Sequence, residues 1–119
     1  MRKIYQPGRS NVLSNNAMVA TSQPLSSQEA INILKLGGNA VDAAIAASAV
    51  LSVVEPGSTG IGGDCFSIIK MNNQKAISIN GSGIAPKKAN LDYFKSNKIE
   101  SIGLLSPHSV TIPGAVDAW

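Results

Sequence analysis

Two side chains in this sequence are chemically distinctive by scarcity: Cys65 is the only cysteine and His108 the only histidine. A thiol and an imidazole within reach of each other make a nucleophile and base. Cys65 precedes Phe66 at the head of an apolar segment, where a small core residue is the plainer role. His108 lies in SPHSVT, directly before a second apolar run, where it reads as a turn residue. Asp42 and Glu55 offer another pairing, two carboxylates flanking an apolar stretch. Asp42 is already explained as a helix-start residue and Glu55 as a polar terminus. A structural zinc site needs about four Cys or His ligands, which this composition does not supply.

The glycine-rich run Gly57–Gly63 (GSTGIGG) invites a phosphate-binding reading. A phosphate loop needs a lysine and a hydroxyl directly after its last glycine. Here Gly63 is followed by Asp64, and the first lysine downstream is Lys70. A dinucleotide fingerprint runs from strand into helix, whereas this loop leads from helix into strand. The glycines read instead as residues that let backbone pack closely beneath another element. No complete catalytic set assembles from these residues.

Composition narrows the class further. The 119 residues are 44% apolar and 14% charged, against roughly 25% charged in soluble domains. That balance excludes a disordered tail. Three of the ten basic residues, Arg2, Lys3 and Arg9, lie in the first nine positions, leaving seven basic against seven acidic residues. Lys87, Lys88, Lys95 and Lys98 share their segment with Asp92 and Glu100, as on a solvated helix face. No nucleic-acid partner is expected from that distribution. The opening MRKIYQPGRSNVLSNN has no apolar core behind its basic start. The longest apolar stretch, 40–54, is short of the roughly 20 residues that span a membrane. A single cysteine forms no intrachain disulfide. A cytoplasmic protein without a membrane partner is the expectation.

These residues must be held by a recognisable order of elements. Residues 1–16 read as an extended lead-in and 17–119 as one unit. Ala17–Thr21 suits a short buried strand. Ser26 and Glu29 have capping-box spacing ahead of a helix that Gly37 and Gly38 end. Asn39 then caps a second helix, AVDAAIAASAVLSVV, with Asp42 in its first turn and Pro56 after its end. Being apolar on nearly every face, this helix should be packed all round. CFSIIKM and KAISIN read as a hairpin across Asn72-Asn73-Gln74, followed by a tight turn at Asn80-Gly81-Ser82-Gly83. Pro86 is read as opening a helix, PKKANLDYFKSN. SVTI reads as a strand, and PGAVDAW as the start of another helix.

The segment GGNAVDAAIAASAVLSVVEPGSTGIGGDCF closely resembles the large-subunit signature of the γ-glutamyltransferase (γ-glutamyltranspeptidase) family. The likeness extends upstream through MVATSQPLSSQEAINILKLGG and downstream through NGSGIAPKKA and HSVTIPGAVDAW. It implies an α+β fold, the N-terminal-nucleophile hydrolase αββα layered sandwich, of which this chain would be an N-terminal portion of the large subunit. It also implies self-cleavage of a precursor and a nucleophilic threonine at the new N-terminus of the small subunit. That threonine would pass a γ-glutamyl or related acyl group from an amide such as glutathione to water or an amino acid. Thr21, Thr59 and Thr111 do not match it, so no catalytic residue is assigned within the chain. The implied partners are the remainder of the large subunit, the small subunit and an acyl-amide small molecule. No metal or organic cofactor is implied.

One departure bears on specificity. Counting back from Ala85-Pro86, Ser82 stands where the family has the arginine that pairs with the donor's α-carboxylate, and Gly83 stands for the following glutamate. Ser82 is therefore the candidate substrate-binding residue. A hydroxyl does not replace a bidentate guanidinium. This pattern resembles the transferase-like or acylase-like branch of the family. The alternatives are a non-catalytic fragment that binds a partner and a self-sufficient hydrolase using Cys65 and His108.

Overall fold

The computed structural model describes residues 10–119. Residues 1–9 of the expected lead-in lie outside the described residues, and 10–16 hold no helix or strand. Helix α1 spans Pro24–Lys35 and α2 spans Ala40–Val54. The start of α1 corrects the sequence reading. Gln23, not Ser26, is the N-cap, its Oε1 accepting from Leu25 N at 2.5 Å. Pro24 at the first position has its backbone angle already set for a helix, so the helix begins earlier. Ser26 is fully buried and its hydroxyl donates to the Ala47 carbonyl of α2 at 2.8 Å. Glu29, the other half of the expected box, accepts from Asn32 instead.

Between the two helices Gly37 adopts a φ of 93°, while Gly38 N–H donates to Ile33 O at 3.0 Å. A Cβ on Gly38 would stand 2.6 Å from Ile33 Cγ2, so the sharp turn requires glycine there. Asn39 and Asp42 form the reciprocal cap expected of them. Asn39 N–H reaches Asp42 Oδ2 at 2.8 Å, and Asn39 Oδ1 accepts from Val41 N–H at 2.7 Å.

The two helices meet through small residues. Ser26 and Ala30 of α1 face Ala43 and Ala47 of α2, and Val19, Ile33 and Leu34 pack around them. Ala17–Thr21 forms no strand. Among the described residues it has no neighbouring strand to pair with, and Val19 is used as packing against the helix pair. The expectation that α2 is packed all round also fails among the described residues. Its buried residues are Ala43 and Ala47, and Val53 is 77% exposed.

Strands β1 (Cys65–Ile69) and β2 (Ile77–Gly81) pair antiparallel, with Cys65 opposite Gly81 and Ile69 opposite Ile77. In the turn Asn73 takes a φ of 57°, and Lys70 Nζ donates to the Met71 and Gln74 carbonyls. Helix α3 is Leu91–Ser96, shorter than the sequence pattern suggests. Pro86–Ala89 is a turn closed by Ala89 N–H to Pro86 O at 2.8 Å, and Asn90 takes the cap by accepting from Tyr93 N–H. SVTI is not a strand. Pro107–Ser109 is a 3-10 turn, and Ile112 makes one backbone bond, to Ile84 O at 2.9 Å. A short α4, Ala115–Ala118, follows.

The radius of gyration is 19.3 Å, against about 13.5 Å for a compact chain of this length. The chain exposes 9937 Å², where a compact monomer of its mass exposes about 6,100 Å². No helix of the described residues is long and apolar enough to cross a membrane.

Candidate functional site

Ser82 follows β2 in a turn that two neighbours hold in place. Its N–H donates to Asn80 Oδ1 at 3.1 Å, and its carbonyl accepts from Thr111 Oγ1 at 2.9 Å. Next to it Gly83 sits at a φ of 76°, a left-handed conformation that glycine adopts without steric cost. A Cβ on Gly83 would run into the Ile112 carbonyl. Gly114 is equally constrained, since its Cβ would collide with Gly81 O and Gly83 N. The two segments therefore pass antiparallel with backbone almost touching: residue 82 lies near 114, and residue 84 is bonded to 112.

This crossing is also where the glycine-rich loop ends. Gly63 O accepts from both Gly114 N–H at 3.1 Å and Ala115 N–H at 3.2 Å. The loop thus offers a carbonyl to the start of α4 rather than amides to a phosphate. The close-approach glycines are Gly81, Gly83 and Gly114. Gly57 and Gly62 have open space around them. Sequence reading attributed close packing to the conspicuous run and missed these three. The available signal was Gly-x-Gly at a strand end together with Pro-Gly before a helix.

The described residues leave Ser82 half-buried, its backbone engaged on both sides and no described hydrogen bond to its hydroxyl. That hydroxyl is able to donate to, or accept from, one polar atom of a ligand. It carries no charge with which to hold a carboxylate. Positions 10–119 contain no arginine that would take its place.

The other sequence candidates are dispersed. Cys65 is half-buried and lines a cleft of about 380 Å³ between α2 and the hairpin, with Ala44, Ile45 and Trp119. His108 lines a different cleft, beside Tyr93. The structure does not bring this thiol and imidazole into a shared site. Asp42 is taken up by the α2 cap, and Glu55 Oε2 accepts from Ser22 Oγ at 2.5 Å. Thr59 Oγ1 donates to Glu55 O. Among the described residues no cluster of three His, Cys, Asp or Glu side chains is placed to hold a metal ion.

Comparison with solved structures defines the class. The cephalosporin acylase from Bacillus halodurans matches 98% of this chain and 22% of its own at 44% identity, with a TM-score of 0.87. A gamma-glutamyltranspeptidase from Pseudomonas nitroreducens, complexed with L-DON, matches 86% of this chain and 31% of its own at 32% identity, with a TM-score of 0.73. The helix pair and hairpin are thus part of an N-terminal-nucleophile hydrolase α+β fold. The family model described as gamma-glutamyltranspeptidase matches residues 26–119, and the chain belongs to that family. Among curated relatives, the glutathione hydrolase-like YwrD proenzyme of Bacillus subtilis is 41% identical over 111 residues, 92% of this chain and 21% of the relative. The chain spans about a fifth of the length of the first relatives it matches.

Proposed function

We propose that this chain supplies one wall of the acyl-donor site in an amide-hydrolysing or acyl-transferring enzyme. Its threonine nucleophile would come from another part of the same protein. What supports this reading is the Ser82 turn, held by Asn80 and Thr111, at the position that the family resemblance assigns to a carboxylate-binding arginine. A neutral hydroxyl there favours donors whose acyl group lacks the α-carboxylate of a γ-glutamyl group. The resemblance to the cephalosporin acylase supports the acylase-like side of the family.

The partners in this reading are the rest of the large subunit and a small subunit, as the relative's name as a proenzyme suggests. A free Cys65, with no disulfide partner in the sequence, fits a reducing cytoplasmic setting. The test uses γ-glutamyl-p-nitroanilide and, beside it, 4-aminobutyryl-p-nitroanilide, which lacks the α-carboxylate. The 119-residue chain alone is expected to release no nitroaniline above background, and the chain assembled with the segments its relatives carry is expected to do so. Turnover by the chain alone would contradict the placement of the nucleophile elsewhere.

A second reading, a partner-binding fragment without catalysis, draws on the exposed apolar surface, including Phe66 at 63% and Ile68 at 82% exposure. The same assembly assay separates the two: a complex that forms and stays inactive favours the second.

A further inference from the structure

We propose that the cleft between α3 and the 3-10 turn binds a small planar carboxylate, a molecule of one ring and one acid group. The cleft has a volume of about 220 Å³ and is lined by Pro86, Lys88, Tyr93, Pro107, His108 and Val110 among others. It lies where the antiparallel crossing that holds Ser82 opens out, with Pro86 and Val110 as its near wall. Ser82 is not among its lining residues, so the proposal does not depend on the acyl-transfer reading.

Two of its wall residues, Tyr93 and His108, interlock with the ring of Phe94, which does not line the cleft. Tyr93 and Phe94 meet edge-on at 5.5 Å, Tyr93 and His108 at 5.7 Å, and Phe94 and His108 at 5.6 Å between centroids. Such edge-to-face contacts hold ring orientation. Backbone geometry fixes the rest. Asn90 caps α3, the Pro86–Ala89 turn is closed, and Ser106 Oγ accepts from His108 N–H. Two prolines add stiffness, so a ligand meets a largely preformed surface.

The chemistry of the lining selects the ligand. Lys88 and His108 are the ionisable nitrogen-bearing side chains there, and no carboxylate lines the cleft. Proline, alanine, valine and the tyrosine ring give an apolar floor that suits a flat body. Lys88, exposed at the edge, suits its acid group. A bare phosphate would use Lys88 but leave the apolar floor uncovered. The volume admits a single ring with its carboxylate.

In the assembled protein the His108 ring proton, which lines this cleft, is assigned by its loss in His108→Gln. Benzoate titrated into the protein at fixed pH is expected to move the His108 Hε1 resonance along a saturable curve. Benzamide, the neutral analogue, should bind roughly tenfold more weakly, as should benzoate to Lys88→Met, both having lost the charge-assisted contact. Lys88 is exposed, so that variant should keep the fold, read as a retained contact between the Tyr93 and His108 rings. A linear, unsaturable shift in the unmodified protein overturns the proposal without any variant. So does equal affinity for benzoate and benzamide, or inorganic phosphate acting as well as benzoate.

Discussion

At Gly83 a single hydrogen decides whether the candidate site can form. Its φ of 76° and the Ile112 carbonyl facing its Cα leave no room for a side chain. Gly83→Ala should cost at least about 2 kcal/mol, from left-handed strain and the displaced crossing segment. Chemical denaturation of the assembled protein measures this as a lowered midpoint with an unchanged slope. Thr111→Val is a gentler probe, removing only the hydroxyl that donates to Ser82 O. About 1 kcal/mol is expected, with Thr111→Ser restoring most of it. The turn itself was legible, because Asn-Gly-Ser-Gly after an apolar segment demands one. The closeness of Gly114 was not. It depends on a contact across some thirty positions that no local spacing encodes. The ring cluster of Tyr93, Phe94 and His108 was hidden for the same reason.

Among the elements, α2 was read correctly because independent local signals agreed: Asn39 and Asp42 at its start, glycines before it and Pro56 after it. Asn39→Ala should lower stability by about 1 kcal/mol, the usual worth of an N-cap. The start of α1 was misplaced because two capping patterns overlap in Gln23-Pro24-Leu25-Ser26. Proline at the first helical position won, and Ser26 was freed to bond Ala47 across the helix interface. That interface is built of small side chains, so Ala47→Leu should overpack it and cost roughly 1–3 kcal/mol. Thermal unfolding of the variant tests the close helix contact. A neutral result would mean that the helices stand further apart. SVTI misled because a β-branched pattern states a preference for strand, while strand formation requires a partner ladder that only one bond to Ile84 supplies.

At the scale of the molecule, low charge and high apolar content now have a structural counterpart. The helix pair and the hairpin each bury one side, and Phe66, Ile68, Ile77 and Val53 remain exposed. A two-stranded sheet is marginal unless something covers it. The isolated chain should therefore bind a hydrophobic dye such as ANS strongly, and the assembled protein much less. The layered αββα architecture was legible only through family resemblance. The residues of this chain form part of the layers and not the whole stack.

Ser82 is proposed to face the acyl donor, and donor discrimination is the direct test of that proposal. In the assembled protein, kcat/KM is compared for γ-glutamyl-p-nitroanilide and for 4-aminobutyryl-p-nitroanilide, which keeps the amine and lacks only the α-carboxylate. Little preference for the γ-glutamyl donor is expected, with a gain for that donor of about 10- to 150-fold in Ser82→Arg, the equivalent of a charge-assisted hydrogen bond. A strong γ-glutamyl preference in the unaltered enzyme, unchanged by Ser82→Arg, would contradict the proposal.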